Sequence, residues 1–520
     1  MRTAIPDRQQ PSGIDAARRA FGAGDIAATE RICAKILAAN AEDWAAWCLL
    51  AETALQRGRR DAAVVCADRA ARLAPHQAIP LILRAKCLFL GGDSRAAFSA
   101  AEAAAKRVGV AADALDALGA MFGLLGLHRR AKEFFLRAVE ARPDVPQYLF
   151  NLAATERMTG RLADAEAHCD AAIARDPHYA LAHYLRSDLR VQSADRNHVD
   201  EMEAVIHDGK LPQPGEILLR FALGKECEDL DRWAHAFAHV QAGCDLQRRL
   251  VAGDRATAVA EIERVIRLHT PDWIASAPPG HAAASPVFVT GLPRTGTTLV
   301  ERLIASHPAM SSAGETGAFA SELVRAVSDQ AGAADPARLG KRYMEAAAFR
   351  LPANVRFVDK TLENHLHCGL IHAALPAAKI ILVQRHPLDA GWAIYKAHFQ
   401  GKFPFAYDQV ELADTILAFR RLVQHWQATL PSHALMVVNY EDIVRDVETS
   451  SRNIIGFLGL PWADEVLRFD ESPAPSATAS AVQVRRPIYA SSVGKWRHHA
   501  QGLAPLRSRL AREIPESELV

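Results

Sequence analysis

Five glycines, Gly24, Gly58, Gly92, Gly126 and Gly160, stand 34 residues apart in the first third of the chain. Ala63, Ala97, Ala131 and Ala165 keep the same step, each five residues after one of the last four glycines. Pro75, Pro143 and Pro177 fit the same period, with Gly109 in the intervening slot. A fixed period of this length means one supersecondary unit repeated, because a single unit cannot bury its apolar face and must stack on its neighbours. The residue types describe the unit. Glycine permits a turn between two antiparallel helices, a small alanine lets them approach, and proline ends the second helix.

This pattern resembles the tetratricopeptide repeat (TPR). Five repeats are read, at 9–42, 43–76, 77–110, 111–144 and 145–178. Two further units, 179–212 and about 215–249, are degenerate; the second keeps a helix–turn–helix rhythm without the glycine. A helix near 253–268 is expected to cap the array, which gives an all-α TPR solenoid domain over 9–270. The stretch 271–285, PDWIASAPPGHAAAS, reads as a linker.

From residue 286 the pattern becomes alternating strand and helix. Candidate strands are 286–290, 355–359, 379–384 and 434–439, and candidate helices are 297–306, 364–374, 388–399, 408–429 and 442–458. Apolar strands joined through helices imply an α/β domain with a central parallel sheet, here 286–510, whose ligands bind at the carboxyl ends of the strands. At 520 residues, two or three domains are expected, so the chain is read as multidomain. Charge is balanced at 61 basic against 60 acidic residues, which gives no sign of a nucleic-acid partner. The eight cysteines form no C-x-x-C pair and read as reduced core residues rather than zinc ligands. No 18-residue apolar run or export signal is present, so a soluble cytoplasmic protein with no membrane segment is expected.

The chemistry centres on PVFVTGLPRTGTTLVERLIASHP at 286–308. A short apolar strand breaks into the turn Gly291-Leu292-Pro293-Arg294-Thr295-Gly296, and a helix-like segment follows. Loop N–H groups and a helix N-terminus present positive dipoles to an anion, so this is a P-loop-like phosphate site. The lysine that normally follows the second glycine, and reaches the β- and γ-phosphates of a nucleotide, is Thr297 here, which argues against ATP or GTP hydrolysis. The positive charge has moved into the loop as Arg294.

The variant PRTGTT resembles the 5′-phosphosulfate loop of sulfotransferases, which use 3′-phosphoadenosine 5′-phosphosulfate (PAPS) as sulfuryl donor. The resemblance covers about 286–500 and implies that Arg294, Thr295, Gly296, Thr297 and Thr298 surround the 5′-phosphate. The segment IILVQRHPLDAGWA is similar to the family's second motif, which makes Arg385 the reader of the 3′-phosphate. The family's serine eight residues on is Ala393 here, which removes one hydroxyl donor. Tyr440 resembles the family tyrosine near the nucleotide. The segment 483–497, with Arg485, Arg486, Lys495, Trp496 and Arg497, resembles the C-terminal piece that closes over the donor, and Lys495 is taken as a donor ligand.

For catalysis, Glu315 in Gly314-Glu315 resembles the base of the protein-tyrosine sulfotransferases. Lys360, closing the strand VRFVDK, is the expected charge stabiliser on the bridging oxygen, with Ser492 as an assistant for which Gly494 competes. His365 and His367 in KTLENHLH are the other titratable candidates, His365 being the alternative base. The expected reaction moves a sulfuryl group from PAPS to an acceptor hydroxyl without a metal. A protein tyrosine is the first acceptor class, and the array recruits the acceptor or a partner on its concave face. A carbohydrate, lipid or small-molecule acceptor is the alternative, a TPR scaffold with a degenerate transferase domain is the non-enzyme one, and a homodimer is allowed.

Overall fold

The computed structural model describes residues 13–251, 257–282, 285–328, 335–348, 351, 355–471, 482 and 492–519. The chain forms two compact units, Met1–Pro143 and Asp144–Val520. The expected linker 271–285 therefore lies inside the second unit, and its Pro271–Ala275 is a short helix.

In the first unit the described residues form four helix pairs. They run Gly13–Gly22 with Ile26–Ala39, Trp44–Gln56 with Arg60–Leu73, Ala78–Leu90 with Ser94–Ala105, and Ala112–Leu124 with His128–Ala141. Each inter-helix glycine has a left-handed backbone, with φ of 75° at Gly24, 70° at Gly58, 86° at Gly92 and 74° at Gly126. A Cβ on Gly24 or Gly58 would meet nothing within 4 Å, so backbone conformation and not space demands glycine there. Ala63, Ala97 and Ala131 are fully buried between the paired helices.

The second unit opens with a further pair, Pro146–Thr159 and Leu162–Arg175, turned at Gly160 with φ 84°. Shorter helices Ala180–Asp188 and Val199–His207 follow, then the long pair Gln213–Asp229 and Trp233–Leu250. That pair has no glycine in its turn; Asp231 takes the left-handed conformation instead, with φ 57°.

The sheet has five parallel strands: β1 Val287–Gly291, β2 Met310–Gly314, β3 Arg356–Asp359, β4 Lys379–Gln384 and β5 Leu435–Asn439, in the order β2-β3-β1-β4-β5. The α/β expectation with a central parallel sheet is met. Strand β2 was not expected, because MSSAG lacks β-branched and aromatic residues. At the sheet edge it is half-exposed, so it needs no two-sided apolar pattern. The expected helix 442–458 is two, Tyr440–Arg445 and Val447–Phe457, broken at extended Asp446, whose carboxylate accepts from the Thr449 N–H at 3.0 Å and caps the second. The expected helix 364–374 likewise splits into a 3₁₀ turn, Leu362–Leu366, and the helix Cys368–Ala374.

Alternate residues of each strand go to opposite layers. Val287, Val289, Val358, Ile381 and Val383 join the helix Thr297–Ala305 and Ile454 and Ile455 in one core. Phe288, Phe357, Ile380 and Leu382 join the other, with Trp426 and Phe419 of the helix Gln409–Thr429. That second core also takes in Ile217, Phe221, Val240 and Cys244 of the long pair, and Ile262 and Val265 of the helix Thr257–Leu268. Helices that read from sequence as the end of a repeat array thus share a core with the sheet. All eight cysteines are free thiols, seven of them buried. Among the described residues, no helix is long and apolar enough to cross a membrane.

Candidate active site

The loop after β1 sits at the carboxyl edge of the sheet, on its central strand, where neighbouring connections diverge and leave a crevice. Arg294 has a left-handed backbone, φ 65°, and Gly296 follows at φ 100°. Thr295 Oγ1 donates to the Leu292 carbonyl at 2.8 Å and pins the turn. Gly296 caps the helix Thr297–Ala305 with no side-chain hydrogen bond, so no side chain of the cap takes up the first N–H groups. A helix N-terminus behind a tight turn is suited to an anion.

Arg385, just beyond β4, meets this loop from the side. Its Nη1 donates to the Arg294 carbonyl at 3.1 Å and its Nη2 to the Ser492 carbonyl at 2.6 Å. The guanidinium lies 4.7 Å from the centre of the Tyr440 ring, and the Tyr440 and Ser492 hydroxyls share a hydrogen bond of 2.7 Å. Arg385 Nε is buried with no hydrogen-bond partner among the described residues. A buried guanidinium N–H without an acceptor is costly in the free protein and is relieved by a phosphate oxygen. Asp389, of the same motif and 2% exposed, accepts from the N–H groups of Gly494 at 2.6 Å and Trp496 at 3.2 Å. It ties the segment carrying Ser492 and Lys495 to the helix Pro387–Tyr395.

A second group gathers at the ends of β2 and β3. The Lys360 backbone N–H donates to the Gly314 carbonyl at 2.9 Å, bringing the two strand ends together. Lys360 Nζ then donates to Glu315 Oε1. The Lys360 side chain is 1% exposed and that of Glu315 41%, so the carboxylate is the half of the pair open to an incoming molecule. Beneath them, buried Asp359 accepts from Thr361 Oγ1 at 2.6 Å, Thr316 Oγ1 at 2.7 Å and Tyr343 OH at 3.0 Å. Burial still pushes its carboxyl up, against these three hydroxyl donors. Thr316 follows Glu315 in the chain and Thr361 follows Lys360, so this knot holds both members of the pair in place.

Residues 286–464 match the model of the sulfotransferase family. This region is a sulfotransferase domain. An uncharacterized protein of Aquifex aeolicus is 28% identical over 342 residues, 61% of this chain and 45% of that protein. Protein-tyrosine sulfotransferase 1 of Danio rerio is 26% identical over 237 residues, 40% of this chain and 65% of that enzyme. The chain thus spans 45% to 65% of the length of these two relatives. Among solved structures, a thermophilic TPR protein of Thermus thermophilus aligns at 18% identity and a TM-score of 0.31, over 34% of this chain and 96% of its own.

Within the sulfotransferase domain, the residues singled out from sequence form two sets. Arg294, Thr295, Gly296, Arg385, Tyr440 and Ser492 lie around the loop, and Glu315 pairs with Lys360. Thr297 and Thr298 are buried in the first turn of the loop helix. Ser492, expected as an assistant to catalysis, spends its hydroxyl on Tyr440 and stands with the loop and Arg385, not with the Glu315–Lys360 pair. Lys495 lines a cavity together with Arg294 and Ala393. Arg485 and Arg486 lie outside the described residues. His365 sits in the 3₁₀ turn, its Nδ1 donating to the Leu362 carbonyl at 2.7 Å, and burial holds its imidazole below the usual range. His367 is pushed down to about 4, also by burial. Sequence reasoning passed over Asp389 as an anchor and Glu228 and Lys396 altogether, because their partners lie more than 100 residues away.

Gly296 gives a direct test of the loop. A Cβ there would lie 2.5 Å from the Tyr440 ring, and φ 100° disfavours any side chain. Gly296→Ala should displace Tyr440 or the loop and cost at least tenfold in affinity for adenosine 3′,5′-bisphosphate by titration calorimetry, along with a lowered melting temperature from the strained backbone.

Proposed function

We propose that this protein transfers a sulfuryl group from PAPS to an acceptor hydroxyl, with a protein tyrosine as the first acceptor class. The observation that carries this reading is the Glu315–Lys360 pair, held at two strand ends beside a phosphate loop whose cation is Arg294 and not the usual lysine. The donor supplies the sulfuryl group. Arg294 to Thr298 bind its 5′-phosphate, and Arg385, with its unpartnered Nε, reads the 3′-phosphate. Tyr440 and Lys495 complete the grip. Glu315 takes the proton of the acceptor hydroxyl as the new O–S bond forms. The S–O bond to the phosphate breaks, and Lys360 stabilises charge on that oxygen as adenosine 3′,5′-bisphosphate departs. The residues present fit the donor, since the unpartnered Arg385 Nε and a helix N-terminus behind a tight turn both suit phosphate oxygens.

A second reading of the acceptor rests on a cavity of about 420 Å³ against Leu292 and Pro293 of the loop. It is lined by Leu366, Phe403 and Phe405, with His365 in its wall. With Nδ1–H committed to a carbonyl, His365 keeps Nε2 as an acceptor. A small aromatic or aliphatic alcohol suits this volume, with His365 as the base. We assign the TPR-type helix pairs to recruiting the acceptor or a partner. The free thiols suit a reducing compartment, so we place the reaction in the cytoplasm.

The test compares adenosine 3′,5′-bisphosphate with AMP by calorimetry, and scores transfer from radiolabelled PAPS to tyrosine peptides and simple phenols. Arg385→Ala should cost the bisphosphate roughly 10- to 100-fold in affinity and AMP far less, because only the former carries a 3′-phosphate. Equal losses for both ligands would remove Arg385 from that role. Binding without transfer to any hydroxyl would leave a scaffold with a degenerate domain, the reading for which Ala393 speaks.

A further inference from the structure

The missing hydroxyl at Ala393 faces a cavity of about 600 Å³, which is also lined by Arg294, Lys396 and Lys495. We propose that Lys396, steadied by Glu228 from the helix Gln213–Asp229, takes the place of that hydroxyl as a ligand of the donor's 3′-phosphate. This rests on the donor reading above. Lys396 is the C-cap of the helix Pro387–Tyr395, three residues after Ala393 and on the same side, so both line the one cavity.

Its surroundings are built for an anion. Lys396 Nζ lies 2.5 Å from Glu228 Oε2, and Lys495 Nζ lies 3.4 Å from the same oxygen. Glu228, 5% exposed, also accepts from Trp392 Nε1 at 2.9 Å and lies 3.5 Å from His499 Nε2. One carboxylate thus anchors two ammonium groups, leaving positive charge over at the cavity wall. Several other charged groups of this cavity already have partners: Lys225 with Asp229, also of the lining, at 2.7 Å, and Arg190 and Asp188 with Glu166 and Arg157 outside it, at 2.9 and 2.6 Å. Asp231 and His498 also line it.

Burial pushes the Lys396 ammonium down to about 8, with Lys495 and Arg294 adding repulsion, against the pull of Glu228. Burial works to raise the Glu228 carboxyl, but Lys396, His499 and Lys495 outweigh it and hold it well below the usual range. A cation desolvated in this way beside two others gains most when a dianion arrives. The Lys396 ammonium lies 5.6 Å from the centre of the Trp392 ring, which steadies its direction.

Calorimetry on the full-length protein tests this with adenosine 3′,5′-bisphosphate and AMP. Lys396→Met, which keeps the apolar stem, should weaken the bisphosphate roughly 10- to 100-fold and leave AMP essentially unchanged. Lys396→Arg should keep most of the preference. Ala393→Ser should change little in the native protein yet recover part of the loss beside Lys396→Met, a coupling that a purely structural lysine would not produce. If Lys396→Met is not stable, Lys396→Gln, which still donates to Glu228, is read in the same way. Equal weakening of both ligands, or an undiminished preference, would overturn the assignment. A native protein that does not prefer the bisphosphate would instead sink the donor reading beneath it.

Discussion

Glu315→Gln is expected to lower turnover a hundredfold or more while leaving donor affinity nearly unchanged. The amide keeps the shape of the side chain and can still meet Lys360, but it cannot take a proton near neutral pH. General-base catalysis contributes typically 10²–10⁴-fold, which sets the size of the loss. Donor affinity is expected to be spared because the proposed donor grip is the loop with Arg385 and Tyr440, which contact one another, a set in which Glu315 has no part. Lys360→Ala should also lower turnover, and it removes a buried side chain whose partner is the Glu315 carboxylate. Single-turnover rates with saturating donor separate the two effects. Near-native turnover for Glu315→Gln, together with loss of activity in His365→Ala, would move the base to His365. The apolar cavity beside Leu292 would then become the acceptor site.

Removing residues 1–284 is expected to unfold the sulfotransferase domain, whereas a chain beginning at Asp144 should fold. Ile217, Phe221, Val240, Cys244, Ile262 and Val265 are each at most 3% exposed and belong to the same core as Phe288, Ile380 and Trp426. Each large apolar side chain stabilises by about 1.5–3 kcal/mol on burial. Losing the set, and exposing what it covers, amounts to on the order of 10 kcal/mol, comparable with the whole stability of a domain. Polar ties go as well, among them Arg248 with Glu411, Cys244 Sγ to the Tyr395 carbonyl at 3.3 Å, and Glu228 with Lys396 and Trp392. Thermal melts followed by circular dichroism distinguish the two truncations. A cooperative transition for residues 285–520 within a few degrees of the longer chain would show that these helices are dispensable to the fold.

Elements whose cause is local were legible in the order of residues alone. A left-handed turn every 34 residues needs glycine wherever it recurs, so the helix pairs could be read from Gly24 to Gly160. Strands buried on both faces announce themselves as apolar runs, as β1 and β4 do. The phosphate loop was legible because its turn admits few residue types in order. Edge strand β2 was not, since MSSAG carries no such constraint, although the Gly314-Glu315 step that ends it was noticed for its chemistry. Whatever depends on groups distant in the chain was fixed by the folded molecule. Folding set Glu315 against Lys360 across 45 residues, and Glu228 against Lys396 across 168. It turned the Ser492 hydroxyl to Tyr440. It also merged the last helix pair of the array with the sheet. An apolar helical face has the same period whether it packs on another repeat or on a sheet, so nothing in its sequence names the partner.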